Sequence, residues 1–167
     1  MLNGDGLRVV LWLSGCSHNC YKCQNPQTHD HNSGILFDEK AEEELLRELS
    51  KDYISGLTLT GGDPLHENNL DEVLILVNKI RLLMPEKTIW LYTGYFYEEI
   101  DINIDWDNDD MPWQKRRDII YMCDVLVDGR YIDSQRDVSL HWRGSSNQRV
   151  IDLKKTLEQD EVVLWTD

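Results

Sequence analysis

Three cysteines lie close together near the start of the chain, in the segment Cys16-Ser17-His18-Asn19-Cys20-Tyr21-Lys22-Cys23. This C-x3-C-x2-C spacing is typical of metal ligands, because thiolates bind both iron–sulfur clusters and zinc. A [4Fe-4S] cluster usually takes four thiolates, so a cluster held by three would keep one iron free to bind a substrate or cofactor. Two alternatives are structural zinc, with His18, His29 or His31 as the fourth ligand, and buried core cysteines.

The apolar run Val9-Val10-Leu11-Trp12-Leu13 precedes the cysteines and predicts a buried strand that ends at the turn Ser14-Gly15. The thiols are therefore predicted to lie on a loop at the C-terminal end of a strand. Open α/β sheets and barrels place their ligands at that end of the strands.

The rest of the chain alternates between predicted strands and predicted helices. Strands are predicted at residues 7–13, 57–60, 88–92 and 125–127, with two more strand-like segments near 148–152 and 161–165. Helices are predicted at 38–49, 69–83 and 113–121, and residues 96–110 are predicted to be an acidic, irregular surface insertion. This alternation predicts an α/β fold with a mostly parallel sheet, as a single domain over residues 1–167.

Polar or glycine-rich motifs follow four of the predicted strands. In chain order they are the cysteine loop, Gly61-Gly62-Asp63-Pro64, Tyr92-Thr93-Gly94 and Asp128-Gly129-Arg130. Right-handed crossovers place the C-terminal ends of parallel strands at one edge of the sheet, so we expect these motifs to meet there. Two glycines at a strand end let the backbone approach a ligand closely, although an ordinary strand-to-helix turn needs glycine just as often.

The chain has 167 residues and a formal net charge of -14. This charge argues against a nucleic-acid surface, which needs clustered Lys and Arg, and against an anionic membrane surface. No apolar run approaches the roughly 20 residues of a membrane span, and no basic signal-peptide region is present, so a cytoplasmic location is expected. Thiols stay reduced there, which favours metal binding over disulfides. Cys123 is alone in an apolar stretch and is predicted to be a core residue.

Taken together, the motifs resemble those of radical S-adenosylmethionine enzymes. Within that superfamily the chain is most similar to the activases of anaerobic ribonucleoside-triphosphate reductase. The resemblance covers most of the chain and rests on Asn3-Gly4-Asp5-Gly6-Leu7-Arg8, Gly15-Cys16, Leu57 through Leu65, Trp90 through Tyr95, Asp124 through Tyr131 and Trp142 through Arg149. Asp63 stands where the wider superfamily has Glu, and Lys22 replaces an aromatic residue. The resemblance implies a partial, open (β/α) barrel of the radical S-adenosylmethionine type.

The resemblance also implies two cofactors, a [4Fe-4S] cluster and S-adenosylmethionine. Cys16, Cys20 and Cys23 would ligate three irons and act in catalysis through the cluster, and the fourth iron would chelate the methionyl group. The implied contacts to S-adenosylmethionine are Lys22, Cys23, Gln24, Gly61, Gly62 and Asp63, followed by Tyr92, Thr93, Asp128 and Arg130. Arg143 and Asn147 belong to the resemblance without an assigned role.

By the same resemblance, reductive cleavage of S-adenosylmethionine would give a radical that abstracts hydrogen from a glycine of the reductase. The implied partners are the large catalytic subunit of the reductase and an electron donor such as flavodoxin or ferredoxin. One alternative within this chemistry is an activase of another glycyl-radical enzyme, of the pyruvate formate-lyase type. An alternative of a different class is a zinc-binding interaction module without catalysis.

Overall fold

A computed structural model describes residues 3–102 and 111–166 of the chain. In these ranges the strands are β1 (Arg8–Leu13), β2 (Gly56–Gly61), β3 (Thr88–Tyr92), β4 (Val125–Asp128) and β5 (Arg149–Asp152). The α-helices are α1 (Glu39–Leu49), α2 (Leu70–Leu83), α3 (Tyr97–Ile102), α4 (Met111–Tyr121) and α5 (Leu153–Gln159). Among these helices none is long and apolar enough to cross a membrane.

The described strands form one sheet in the order β1-β2-β3-β4-β5. Strands β1 to β4 pair in parallel, which confirms the predicted parallel sheet, and β5 pairs with β4 in antiparallel fashion. Each parallel connection carries a helix, as a crossover between parallel strands requires. Consequently the C-terminal ends of β1 to β4 lie at one edge, where the predicted motifs begin.

The two faces of the sheet differ in what covers them. On one face, a row formed by Leu11, Leu59, Leu91 and Leu126 is in register across four strands and packs with the apolar sides of the helices in the main core. The other face carries Trp90, Val125, Val127 and Val150, with Trp142 and Trp165 packed against them. The helices therefore bury one face of the sheet and leave the other for a site.

Local sequence explains the helix boundaries. Asp38 caps α1, because its side chain accepts a hydrogen bond from Ala41 N–H at 2.9 Å, and Asp152 caps α5 by accepting from Lys155 N–H at 3.1 Å. Cys123 is buried in the main core, as predicted, where its thiol donates to the Ile119 carbonyl.

Three predictions of secondary structure need correction. Residues 97–102, predicted to be irregular, form α3, and the rest of that acidic stretch, residues 103–110, lies outside the described residues. Helix α5 was not predicted at all. The strand-like segment near 161–165 forms an isolated bridge, between Ile151 and Leu164, rather than a strand.

Candidate active site

The cysteine loop begins where β1 ends. Cys16, Cys20 and Cys23 are free thiols, each partly buried, and all three line the same cavity. The loop is held by its own backbone: Gly15 N–H donates to the Thr28 carbonyl at 2.8 Å and Cys16 N–H donates to the His29 carbonyl at 3.1 Å. Its two ends are thereby joined, and the three sulfurs face one space.

Backbone N–H groups act on each of the three sulfurs. Asn25 N–H donates to Cys23 Sγ at 3.4 Å, while His18 N–H and Tyr131 N–H partly offset the effect of burial on the pKa of Cys16 and of Cys20. Such bonds stabilise thiolates and tune the potential of a cluster that they ligate. They come from the cysteine loop itself and from the loop after β4, so two elements support the three sulfurs.

Burial is the largest influence on the pKa of two of these thiols, Cys16 and Cys20. It raises the pKa of Cys16 and of Cys20 above the ordinary value, and at Cys20 the Tyr131 N–H and the charge of Arg130 offset part of the effect. Thiols with a raised pKa stay protonated at neutral pH, whereas metal ligands are thiolates. Binding of a metal centre would displace these protons and stabilise the thiolates.

The cavity has a volume of about 300 Å³ and lies over the C-terminal ends of β1 to β4. Predicted site residues on its wall are Cys16, Cys20, Cys23, Gln24, Gly61, Gly62, Asp63, Tyr92, Thr93, Arg130 and Arg143. The floor of the cavity is formed by the residues that follow the leucine row in sequence and lie on the opposite face of the sheet. In this floor Trp12 lies beside Thr60, and Tyr92 lies beside Val127. The expected convergence of distant motifs at one edge is confirmed.

Asp63 is saturated by hydrogen bonds within the protein. Its carboxylate, 2% exposed, accepts from His18 Nε2 at 2.6 Å, from Thr93 Oγ1 at 2.9 Å, from Gly94 N–H at 3.0 Å and from Leu65 N–H at 2.8 Å. The residue thus fastens the cysteine loop and the ends of β2 and β3 together. Sequence reasoning named His18 only as a possible zinc ligand and did not predict its bond to Asp63.

Two glycines allow this close assembly. A Cβ on Gly62 would lie 2.5 Å from the Gly15 carbonyl oxygen, and one on Gly94 would lie 2.3 Å from the His18 ring. Gly62 N–H donates to the Leu13 carbonyl and Asp63 N–H donates to the Gly15 carbonyl, each at 2.8 Å. The amides of Gly62 and Asp63 therefore join the end of β2 to the cysteine loop.

Two predicted contacts are not among the residues that line the cavity. Lys22 points to solvent and pairs with Asp133 at 2.9 Å. Asp128 is fully buried, and its carboxylate accepts from the Arg149 guanidinium and from Tyr97 N–H at 2.9 Å. Both side chains hold loops that border the site, and the structure gives neither of them direct access to the cavity.

The segment after β4 forms the remaining wall, and Gln148 organises it. The Gln148 side chain accepts from Gly144 N–H at 2.9 Å and donates to the Gly129 carbonyl at 2.9 Å. Arg143 lines the cavity and donates to the Gln148 carbonyl at 2.7 Å, while Asn147 donates to the Arg130 carbonyl at 2.8 Å. The Trp142–Arg149 motif thus fastens the loop that carries Arg130 to β5.

Two polar atoms in the cavity wall lack partners. Among the described side chains, Tyr92 Oη and His29 Nε2 are buried without a hydrogen bond, and both residues line the cavity. Burial raises the pKa of Tyr92, so its phenol stays protonated and can donate. Buried polar groups without a partner are rare in proteins, so these atoms fit a cavity that holds a polar ligand. The set of thiols and unpartnered polar atoms therefore fits an iron–sulfur cluster with a polar cofactor.

A single zinc ion sets stricter limits on its ligands than an iron–sulfur cluster does. Tetrahedral zinc with bonds of about 2.3 Å would draw its sulfur ligands to within roughly 3.8 Å of one another. In residues 3–102 and 111–166, no three His, Cys, Asp or Glu side chains form a group that could hold one metal ion. Of the three proposed fourth ligands, His18 is engaged by Asp63 and the His31 ring stacks at 6.2 Å on His66, whereas His29 keeps an unpartnered Nε2 in the cavity wall.

Comparison with known proteins agrees with an iron–sulfur site. A family model described as a 4Fe-4S single cluster domain matches residues 2–151. A protein of Haemophilus influenzae is 39% identical over 150 residues, which cover 89% of each chain. A protein of Enterobacteria phage T4 is 42% identical over 149 residues, which cover 89% of this chain and 86% of the relative. A protein of Escherichia coli K12 is 38% identical over 156 residues, which cover 92% of this chain and 94% of the relative. All three are named anaerobic ribonucleoside-triphosphate reductase-activating protein. No solved structure matches the chain.

Proposed function

The chain belongs to the family of anaerobic ribonucleoside-triphosphate reductase-activating proteins and contains a 4Fe-4S single cluster domain, and from this premise we propose that it generates a glycyl radical on that reductase. Bound together, the cluster and S-adenosylmethionine supply a one-electron cleavage of the sulfonium C–S bond that gives methionine and a radical able to take hydrogen from a glycine Cα. Flavodoxin or ferredoxin is the proposed class of electron donor.

Cys16, Cys20 and Cys23 are the proposed cluster ligands. Their sulfurs face one cavity, and Asn25 N–H donates to Cys23 Sγ at 3.4 Å. With three ligands for four irons, the protein leaves one coordination position for the methionyl group. In the described part of the chain the fourth cysteine, Cys123, lies in the core against Ile119, so it does not complete the set.

S-adenosylmethionine is proposed to occupy the rest of the cavity. Gly61 and Gly62 bring main chain to the cavity wall without a side chain, so that the backbone of this turn can contact the amino group of the methionyl end. Tyr92 can donate through its unpartnered phenol, and Gln24, Thr93 and Arg130 add polar groups to the wall. Asp63, Lys22 and Asp128 are proposed to act through the residues that they position.

The observation that carries the proposal is the convergence of four strand ends on one cavity that holds the three thiols. The parallel order of β1 to β4, with helices on one face only, also supports a partial, open (β/α) barrel. A reaction at a glycine of another protein needs contact between that glycine and the site. Trp12, on edge strand β1, is 52% exposed while it lines the cavity, so the wall is open on that side.

Anaerobic reconstitution with iron and sulfide tests the proposal. We expect a reduced-cluster EPR signal that changes when S-adenosylmethionine is added, and a glycyl-radical signal when the reductase is then included. A radical on a pyruvate formate-lyase-type enzyme but not on the reductase would transfer the activity to the alternative substrate. Protein purified without oxygen that holds one tight zinc and no iron would refute the cluster.

A further inference from the structure

His29 is the histidine in the cavity wall whose ring nitrogen has no partner. Its main chain is fixed, because its carbonyl accepts from Cys16 N–H at 3.1 Å and its N–H donates to the Pro26 carbonyl at 3.3 Å. The ring is therefore held beside the first cysteine by backbone bonds, while Nε2 is buried in the wall without a hydrogen bond. A buried nitrogen in this situation gains most from a group that enters the cavity.

We propose that His29 Nε2 forms a hydrogen bond with bound S-adenosylmethionine, an inference that rests on the proposed function. The cluster is a poor partner by comparison. Its sulfurs are weak acceptors, and Cys23 Sγ already accepts a hydrogen bond from Asn25 N–H. S-adenosylmethionine offers a carboxylate, an amino group, two ribose hydroxyls and ring nitrogens, any of which can pair with a neutral imidazole.

Other histidines of the same region differ in ways that make them useful controls. His18 Nε2 is bound to Asp63 at 2.6 Å, so its nitrogen is occupied within the protein. His31 lies two residues after His29 but has an exposed side chain that does not line the cavity. A substitution of His31 therefore disturbs the same loop without touching the cavity.

The experiment measures binding of S-adenosylmethionine to reconstituted protein under anaerobic conditions, by equilibrium dialysis with labelled compound. His29→Phe keeps a ring but removes the nitrogen, and we expect binding to weaken by roughly three- to tenfold, as the loss of one hydrogen bond predicts. His29→Gln places an amide group near the position of Nε2 and should bind within about twofold of the unaltered protein. His31→Phe should bind as the unaltered protein does.

Iron content and the EPR spectrum without S-adenosylmethionine are measured on the same samples. Weakened binding in His29→Phe, with rescue in His29→Gln and an unchanged cluster spectrum, supports the proposal. Equal affinity in all variants overturns it. A changed spectrum or lost iron in His29→Phe before any addition also overturns it, since the nitrogen would then serve the cluster. If the unaltered protein binds no S-adenosylmethionine, the proposed function fails first, whatever His29 does.

Discussion

Replacement of Asp63 by Asn tests whether this residue holds the site together or only binds the cofactor. The Asn side chain keeps one oxygen and puts an NH₂ group where the other was. At the Oδ2 position the NH₂ would face His18 Nε2 and Gly94 N–H, and at the Oδ1 position it would face Leu65 N–H. In either orientation at least one buried donor loses its acceptor, which costs about 1–3 kcal/mol, and the remaining bonds lose the strength that the carboxylate charge gave them.

We therefore expect Asp63→Asn to destabilise the apoprotein by about 3 kcal/mol, which for a chain of this size lowers Tm by roughly 6–12 °C. Thermal unfolding followed by circular dichroism, on reduced protein without iron, measures this directly. Thr93→Val removes one of the donors and should cost less, about 1.5 kcal/mol. Asp5→Asn, at an exposed position, is the matched control and should stay within about 0.5 kcal/mol of the unaltered protein.

A double-mutant cycle makes the test specific to the bond between the cysteine loop and β2. His18→Phe and Asp63→Asn should show a coupling free energy of about 1 kcal/mol or more, because their side chains touch at 2.6 Å. The reasoning fails if Asp63→Asn melts with the Asp5→Asn control and loses only affinity for S-adenosylmethionine. The carboxylate would then act in binding S-adenosylmethionine, and its four hydrogen-bonding partners within the protein would not add to the free energy of unfolding.

Three further predictions concern the thiols, a buried ion pair and the cavity floor. Replacing any of the three loop cysteines by Ala should abolish cleavage of S-adenosylmethionine, whereas Cys123→Ala should retain it, as measured by release of 5′-deoxyadenosine. At Asp124, burial opposes ionisation, but bonds from Arg81, Lys154 and Ile89 N–H outweigh it and lower the pKa of the carboxyl. The Asp124 carboxylate therefore makes its whole contribution to stability above pH 3.8, the ordinary pKa, and loses it as the pH falls through the lowered pKa. In urea unfolding, Asp124→Asn should be about 2–3 kcal/mol less stable than the unaltered protein at pH 7 and nearly equal to it in acid. Tyr92→Phe should leave apoprotein stability unchanged or higher by up to about 1 kcal/mol, because Oη has no partner, while it weakens binding of S-adenosylmethionine in dialysis.

The sequence predicted the parallel sheet and the meeting of distant motifs well, because both follow from local patterns and a general rule of handedness. Apolar runs that end in glycine marked β1 to β3, and right-handed crossovers then required one common edge. Helix α5 was missed because it is short and its buried positions, Leu153 and Thr156, are too few to show a helical period. Its start depends on the Asp152 cap, which is equally a strand residue.

Side-chain partners were harder to predict than backbone positions. Asp63 and Asp128 were both expected at the ligand, but each is an acceptor for groups that arrive from elsewhere in the chain, His18 and Thr93 for one and Arg149 for the other. Such partners lie 21 to 45 residues away in sequence, so only the assembled sheet brings them together. His29 illustrates the opposite case, since its importance lies in a partner that the protein does not provide.

The register of the sheet determines both the core and the site. Leu11, Leu59, Leu91 and Leu126 face the helices, so the residue after each of them, Trp12, Thr60, Tyr92 and Val127, must face the other side and form the cavity floor. A slip of one residue in any strand would exchange the two rows, turning a floor residue toward the helices and exposing a leucine in the cavity. Burial of the leucine row therefore makes such a slip costly, and the same hydrophobic free energy that stabilises the fold keeps the floor beneath the three thiols. Floor residues are thus free to serve a ligand, because the neighbouring row already provides the stability.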